Sequence, residues 1–200
     1  MSETLPAATS DALPNGAALV AALGRRSIVL VGMMGAGKSS IGRRVAARLA
    51  IPFVDADAEI ELAADMTIAE IFAVHGEPYF RAGEARVIAR LLERGPQVLA
   101  TGGGAFMNAQ TRASLKDKAV SVWLKADLDV LTKRLRRRND RPLLKTEDPV
   151  ATLTNLLQVR DPIYATADVT VLSRDVTHEV IVDEIIAAVG AKLDADAQSG

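Results

Sequence analysis

The stretch from residue 27 to residue 40 reads SIVLVGMMGAGKSS, an apolar run that passes directly into a glycine-rich segment. Its first five residues include β-branched side chains and end at a glycine, which predicts a short buried strand. Residues 38–50 follow with apolar side chains one helical turn apart, and this spacing predicts a helix. The sequence therefore indicates a strand, a glycine-rich loop and a helix in immediate succession.

The loop itself, GMMGAGKS at residues 32–39, fits the pattern G-x-x-x-x-G-K-[ST] that binds nucleotide phosphates. Glycines let the backbone N–H groups turn inward, and the helix that follows adds its positive dipole end. In such a loop Lys38 reaches the β- and γ-phosphates, and the Ser39 hydroxyl binds Mg²⁺. The flanking strand and helix disfavour a chance match, and the lack of an N-K-x-D string disfavours a GTPase.

Strands and helices alternate along the rest of the chain, which favours an α/β fold with a mostly parallel sheet and helices on both faces. Beyond residue 50, the predicted strands are 52–54, 97–100, 119–124 and 169–172. The predicted helices are 58–64, 67–75, 84–93, 111–116, 128–138, 150–165 and 178–193. Residues 139–149 are polar and charged and contain two prolines, so we expect a loop there.

A single domain over residues 25–193 explains this pattern, with a disordered extension at 1–24 and a flexible tail at 194–200. The net charge of −1 gives no global field that would attract nucleic acid or an anionic membrane. The chain has no cysteine, which excludes disulfides, thiolate metal sites and a cysteine nucleophile. No apolar run approaches a membrane span and the N-terminus does not resemble a signal peptide, so we expect a cytoplasmic enzyme.

Two acidic residues, Asp55 and Asp57, follow the second predicted strand. If the chain is extended there, their carboxylates project the same way. One could hold Mg²⁺ through water, and the other could accept a hydrogen bond from a substrate hydroxyl and orient it for attack. The alternative is a turn whose acids cap the next helix.

Further candidate residues lie beyond the third strand and among the arginines. The run TGGG at 101–104 has almost no side chains, so a ligand could touch its backbone, although it could also be a loose turn. Arg81 and Arg160 suit a bidentate grip on a carboxylate, while each taken singly is more often a solvated surface charge. The basic run at 134–138 complements a helix dipole, and the lack of interleaved aromatic residues disfavours a nucleic-acid patch.

Taken together, six motifs resemble those of shikimate kinases over about residues 25–192: GMMGAGKSS, DAD, YFR, TGGG, RPLL and RDPIY, in this order. The resemblance implies a single-domain P-loop NTPase fold of the nucleoside-monophosphate-kinase type, with a five-stranded parallel sheet and a mobile lid at about residues 139–149. It also implies transfer of the γ-phosphoryl group of ATP to the 3-hydroxyl of shikimate, in the chorismate branch of aromatic amino-acid synthesis.

On the ATP side, the resemblance implies that the loop and the start of the helix hold the phosphates, through Gly35, Ala36, Gly37, Lys38, Ser39 and Ser40. Ser39 would bind Mg²⁺ directly, and Asp55 would support it through water. Arg141 would reach the ATP phosphates from the lid. Arg137 fits best as an adenine-side arginine, and Arg138 is the alternative, because the segment before Arg141 is shorter than in some members.

On the acceptor side, Asp57 would bind the ring hydroxyls of shikimate and is the candidate base. Arg81 and Arg160 would bind its carboxylate. The implied substrate-binding residues are Asp57, Arg81, Gly103, Gly104 and Arg160. The implied catalytic residues are Lys38, Asp57 and Arg141. We expect a monomer that binds ATP and shikimate and neither nucleic acid nor membrane.

Three rival interpretations also fit the nucleotide-binding loop. Another small-metabolite kinase, such as a gluconate kinase, is not expected to combine the TGGG turn with paired substrate arginines, and a nucleoside monophosphate kinase explains the DAD pair less well. A nucleotide-binding regulatory module without chemistry is disfavoured because Lys38, Ser39, Asp57 and Arg141 are all present.

Overall fold

The computed structural model of the chain describes residues 16–135 and 148–199. Its centre is a sheet of five parallel strands in the order β2-β3-β1-β4-β5. The strands are β1 (Ser27–Val31), β2 (Phe53–Asp55), β3 (Val98–Ala100), β4 (Ala119–Lys125) and β5 (Val169–Leu172). The predicted α/β fold with a five-stranded parallel sheet is confirmed.

One helix precedes the first strand, and one or two helices follow each strand. They are α1 (Gly16–Leu23), α2 (Lys38–Leu49), α3 (Ala56–Ala64), α4 (Ile68–Leu92), α5 (Ala109–Leu115), α6 (Leu128–Leu135), α7 (Pro149–Tyr164) and α8 (His178–Ser199). A 3₁₀ turn, Ala105–Met107, precedes α5. Within the described ranges, no helix combines the length and the apolar character that a bilayer span requires.

The core is centred on β1 and the two strands that pair with it. Every residue of β1 and β3 is buried, which matches their uninterrupted apolar sequences. In β1, Ile28 pairs with Val98 of β3 on one side and with Val120 of β4 on the other. The chain runs from β1 to β2 and β3 on one side and then crosses to β4 and β5, so β1 lies at the point where the strand order reverses. Ligands of such sheets bind beyond the carboxyl ends of the strands at this point.

Helix α4 is interrupted at Gly76, so the break predicted after the helix at 67–75 is confirmed, but its second segment begins before the predicted residue 84. The kink lies at Gly76, whose φ of 80° and ψ of 172° are not helical. Pro78 follows within the first turn beyond the kink, where a missing N–H costs little. Thr67 begins the helix with a capping box, since it exchanges hydrogen bonds with Glu70.

The N-terminal prediction is wrong for residues 16–23, which form α1 rather than a disordered extension. Leu19 and Leu23 are 3% and 2% exposed, so α1 buries an apolar stripe in the main core. The sequence GAALVAAL is rich in strong helix formers, and these apolar contacts stabilise the helix beyond that propensity. The first fifteen residues of that prediction lie outside the described residues.

The C-terminal prediction is also wrong, because α8 continues to Ser199 instead of ending at 193. Asp196 holds the last turns of the helix against the body of the protein. It accepts hydrogen bonds from Arg26 at 2.9 Å and from Lys192 at 2.6 Å. One of these contacts ties the end of the helix to a residue near the start of the described chain, and the other lies within the last turns of the helix.

The predicted lid falls almost entirely outside the described residues, and Arg137, Arg138 and Arg141 fall there too. The two described residues of the lid segment belong to the start of α7. Asp148 is the N-cap and accepts hydrogen bonds from the backbone N–H groups of residues 150 and 151, and Pro149 is the first helical residue. The assignment of residues 139–147 to a lid stays a prediction.

Candidate active site

The loop after β1 folds into a concave turn that depends on glycine. Gly32, Gly35 and Gly37 have φ values of 133°, 82° and 96°, a region that side-chain-bearing residues rarely adopt. Lys38 is only 8% exposed, and its Nζ donates to the carbonyl oxygens of Gly32 at 2.7 Å and Met33 at 2.9 Å. The lysine charge therefore lies at the loop, as a phosphate-binding role requires.

Residues 35–40, which the sequence assigns to phosphate binding, lie in this loop and in the first turn of α2. The Ile41 N–H donates to the Gly37 carbonyl at 2.9 Å, and this is the first hydrogen bond of the helix. The N–H groups before it have no carbonyl one turn earlier in the helix to accept them. They form an array of donors at the positive end of the helix, which suits an anion.

Asp55 links the phosphate loop to the second strand. Its Oδ2 accepts a hydrogen bond from the Ser39 hydroxyl at 2.7 Å, and its Oδ1 accepts one from the Asp57 backbone N–H at 3.1 Å. Asp55 is thus the N-cap of α3, so the capping alternative holds for Asp55, and Asp57 lies in the first turn. The hydroxyl and carboxylate oxygens are of the kind that Mg²⁺ prefers, so these two side chains fit a Mg²⁺ site.

Behind the loop, Ser173 and Arg134 hold its backbone. The buried Ser173 hydroxyl donates to the Ala36 carbonyl at 2.7 Å and accepts from Arg134 Nη1 at 2.8 Å. Arg134 Nη1 also approaches the carbonyls of Gly35 and Ala36 at 3.4 and 3.3 Å. The sequence predicts Arg134 only as a cation at a helix end, and nothing in the sequence marks Ser173, because their contacts join residues far apart in the chain.

Across the site, Asp57 and Glu84 face one another at the first glycine of the TGGG run. A Cβ atom at Gly102 would lie 2.8 Å from Asp57 Oδ1 and 2.8 Å from Glu84 Oε1. Glu84 is 1% exposed, and its Oε1 has no hydrogen-bond partner among residues 16–135 and 148–199. Burial raises the pKa of the Glu84 carboxyl and the negative charge of Asp57 raises it further, while the hydrogen bond from Arg81 opposes the shift. Glu84 therefore holds a proton at higher pH than an exposed glutamate.

Arg81 lies between two glutamates of its own helix and the third glycine of the run. Its Nη1 donates to Glu84 Oε2 at 2.7 Å, and its Nη2 donates to Glu77 Oε1 at 3.1 Å. A Cβ atom at Gly104 would lie 2.6 Å from the guanidinium carbon, so this glycine makes room for the arginine. Glu84 is not among the residues predicted for the site, because its spacing from Arg81 in the sequence indicates only an ion pair on one helix face.

Arg160 approaches the same run from α7. Its Nη1 donates to the Gly103 carbonyl at 3.1 Å and lies 3.9 Å from Met33 Sδ in the phosphate loop. A Cβ atom at Gly103 would lie only 3.2 Å from the Met34 backbone nitrogen. The TGGG turn therefore packs directly against the phosphate loop, and the loose-turn alternative is wrong.

The described candidate residues thus form one cluster at the carboxyl edge of the sheet. The phosphate loop and Ser39–Asp55 lie on one side of the Gly103 backbone. Asp57, Arg81 and Arg160 lie around the TGGG turn, and the charges of all three act on the pKa of the buried Glu84. An anion-binding loop beside an acid and two arginines can hold a polyphosphate and an anionic alcohol side by side.

Comparison with known proteins agrees with this geometry. The shikimate kinase family model matches residues 34–190. The chain is 61% identical over 188 residues to a shikimate kinase of Rhodopseudomonas palustris, covering 94% of this chain and 93% of that one. It is 66% identical over 175 residues to one of Bradyrhizobium diazoefficiens, covering 88% and 84% of the two chains.

Solved structures give the same result. A shikimate kinase from Acinetobacter baumannii in complex with shikimate aligns with a TM-score of 0.81 and 37% identity, over 86% of this chain and 97% of that chain. A gluconokinase from Sinorhizobium meliloti shares the fold, with a TM-score of 0.59 and 22% identity over 88% of this chain and 98% of that one. On the family match and these relatives, the chain belongs to the shikimate kinase family.

Proposed function

We propose that the chain transfers the γ-phosphoryl group of ATP to the 3-hydroxyl of shikimate, forming ADP and shikimate 3-phosphate for chorismate and aromatic amino-acid synthesis. One observation carries the proposal: the acceptor residues lie directly against the phosphate loop, with Gly103 close to the Met34 backbone. Two substrates held on the two sides of this contact have their reacting atoms close together, which removes much of the entropic barrier.

Lys38 supplies the main positive charge on the phosphate side. Phosphoryl transfer passes through a loose transition state whose charge is spread over phosphate oxygens, so positioning and charge neutralisation contribute most of the rate. When ATP binds, Lys38 exchanges the carbonyl oxygens of Gly32 and Met33 for the β- and γ-phosphates. Ser39 and Asp55 would hold Mg²⁺, which when bound offsets phosphate charge. Arg137 and Arg141 keep their proposed roles at the adenine side and at the phosphates.

Asp57 acts on the attacking hydroxyl. Its carboxylate accepts a hydrogen bond from the acceptor hydroxyl, aligns it with the phosphorus and takes up the proton as the new bond forms. Arg81 and Arg160 bind the acceptor carboxylate, and the glycine backbone at 103 and 104 packs against the ring. We assign every role in this mechanism to residues of one chain and expect the protein to act as a monomer. Because ATP is the donor, we place the reaction in the cytoplasm.

We expect purified protein with Mg-ATP to release ADP rapidly only when shikimate is added. Gluconate and AMP are the matched acceptors that a related kinase of this fold would use. The measurement is ADP release in a coupled assay, with each acceptor alone and with no acceptor.

Turnover with gluconate or AMP instead of shikimate would leave a kinase but overturn the acceptor. Thermal stabilisation by nucleotide, with no acceptor-dependent turnover and no stabilisation by shikimate, would favour the regulatory module.

Replacing Gly104 with alanine is expected to raise the KM for shikimate about 10- to 100-fold, because the new methyl group displaces the Arg81 guanidinium, and displacements of this size have effects of that order. The Cβ atom would lie 2.6 Å from the guanidinium carbon and both of its terminal nitrogens, and Glu84 limits how far Arg81 can retreat. Steady-state kinetics for both substrates measure the effect.

Gly83→Ala is the matched control, because its Cβ would meet nothing closer than Arg86 Nη2 at 3.9 Å. An unchanged KM for shikimate in Gly104→Ala would show that Arg81 is not positioned by this contact.

A further inference from the structure

Tyr164 lies one helical turn beyond Arg160, at the last residue of α7, and is fully buried. Its hydroxyl donates a hydrogen bond to the Gly103 carbonyl, the same oxygen that accepts from Arg160 Nη1 at 3.1 Å. Both donors also lie beside Met33 Sδ, at 4.0 Å for the hydroxyl and 3.9 Å for the guanidinium. One backbone oxygen at the junction of the two substrate sites thus has two side-chain donors.

The ring of Tyr164 is held independently of its hydroxyl. It stacks on Phe106 at 6.3 Å and on Trp123 at 5.9 Å between ring centroids. Burial raises the pKa of Tyr164 to about 12, so the hydroxyl stays protonated and remains a donor at physiological pH. Packing therefore fixes the ring, and the hydroxyl is not needed to hold the ring in place when it donates to the Gly103 carbonyl.

The carbonyl of Gly103 also fixes the next N–H group. In a planar trans peptide, the C=O and the following N–H point in opposite directions. With its carbonyl directed at Tyr164 and Arg160, this peptide directs the Gly104 N–H to the other side. Gly104 is buried, and its N–H donates to no group within residues 16–135 and 148–199. This N–H is therefore placed to donate to a bound acceptor.

We propose that Tyr164 is a positioning residue for the acceptor: its hydroxyl holds the Gly103 peptide so that Arg160 can leave it for the acceptor carboxylate. The proposal depends on the proposed function, since it needs an anionic acceptor. When Arg160 moves, the Gly103 carbonyl keeps one hydrogen bond. Without the tyrosine hydroxyl, the same movement would leave a half-buried carbonyl without a protein donor, which costs free energy.

Tyr164→Phe is expected to raise the KM for shikimate up to about tenfold, the cost of one unpaired, half-buried carbonyl, while the KM for ATP stays within about twofold. Tyr79→Phe is the matched control, because Tyr79 is the other tyrosine of the chain and is 53% exposed. Neither kinetic constant should change in the control. Steady-state kinetics, with each substrate varied while the other is saturating, give the two KM values separately.

A double-mutant cycle with Arg160→Met separates positioning from packing. If the hydroxyl acts by releasing Arg160, Tyr164→Phe should raise the KM much less in the Arg160→Met background than in the wild type. A structural role would give additive effects on the KM and a lower melting temperature.

Several outcomes would overturn the inference. These are an unchanged KM for shikimate in Tyr164→Phe, equal increases in both KM values, additivity in the cycle, or a variant that no longer binds ATP. If the wild type uses a different acceptor, only the assignment of shikimate fails. The inference about Tyr164 then requires Tyr164→Phe to raise the KM for that acceptor by the same factor. No turnover with any acceptor would overturn both.

Discussion

Lys38→Met is expected to lower kcat/KM by about 10³-fold, the largest effect among the substitutions proposed for this protein. Removing one preorganised group that stabilises transition-state charge typically costs two to three powers of ten, and Lys38 carries a full charge in a nearly buried position. Methionine is unbranched and only one atom shorter than lysine, so the substitution removes mainly the charge and the hydrogen-bond donors. Steady-state kinetics measure the loss of kcat/KM. A titration with nucleotide measures how much of that loss comes from weaker nucleotide binding.

Lys116→Met is the control, because Lys116 is exposed at the end of α5 and distant in sequence from the loop. Its activity should match the wild type. A Lys38→Met protein that folds and keeps kcat within tenfold would contradict the assignment of Lys38 to phosphate stabilisation.

Asp57→Asn is expected to lower kcat on the order of 100-fold or more, because general base catalysis contributes about 10²- to 10⁴-fold. Asparagine keeps the shape and can still accept one hydrogen bond, so shikimate binding should change less than kcat. The new amide would also face the Glu84 carboxyl, which lies on the other side of Gly102. The measurement is kcat at saturating substrates, together with the KM for shikimate.

Asp65→Asn is the matched control at the opposite end of α3. Asp65 is exposed and has a positive φ of 50°, a conformation that asparagine tolerates well. Near wild-type turnover in Asp57→Asn would reduce Asp57 to an acid that complements the dipole of α3.

Much of the fold could be predicted because it depends on local patterns. The apolar run of β1 and the turn-spaced apolar residues of α2 each need only neighbouring residues to be recognised. The alternation of such patterns then indicates a parallel sheet, and its carboxyl edge brings Ser39, Asp55 and Gly103 together. The cluster of motifs in the sequence is therefore also a cluster in space.

Other features could not be predicted because they depend on distant partners. The break between the predicted helices at 67–75 and 84–93 is present at Gly76, but the second segment of α4 begins several residues before the predicted residue 84, with Pro78 near its start. Helix α1 and the end of α8 look like polar or low-complexity termini until the contacts of Leu19 and Asp196 are known. Ser173 is one serine among several until the structure places it behind Ala36.

Glu84 is an intermediate case. Its spacing from Arg81 indicates an ordinary surface ion pair on one helix face, and the sequence does not reveal that the whole pair is turned inward. The structure shows a carboxyl with one oxygen bonded to Arg81 and the other directed toward Gly102. A residue that is charged and buried at a site is thus recognised only once the burial is known.

With the proposed role of Arg81 in binding the acceptor carboxylate, its pairing with Glu77 and Glu84 would make acceptor recognition a competition between carboxylates. The arginine already has two acidic partners within its own helix, and Glu77 is the exposed one, with 59% of its side chain accessible. An incoming carboxylate can replace Glu77 as the negative partner of Arg81, so the positive charge of the guanidinium stays neutralised throughout. A neutral ring alcohol offers no such replacement, and the protein would reject it in favour of its own glutamate. Selectivity for an acidic acceptor at Arg81 would then come from competition with Glu77 as much as from the shape of the pocket.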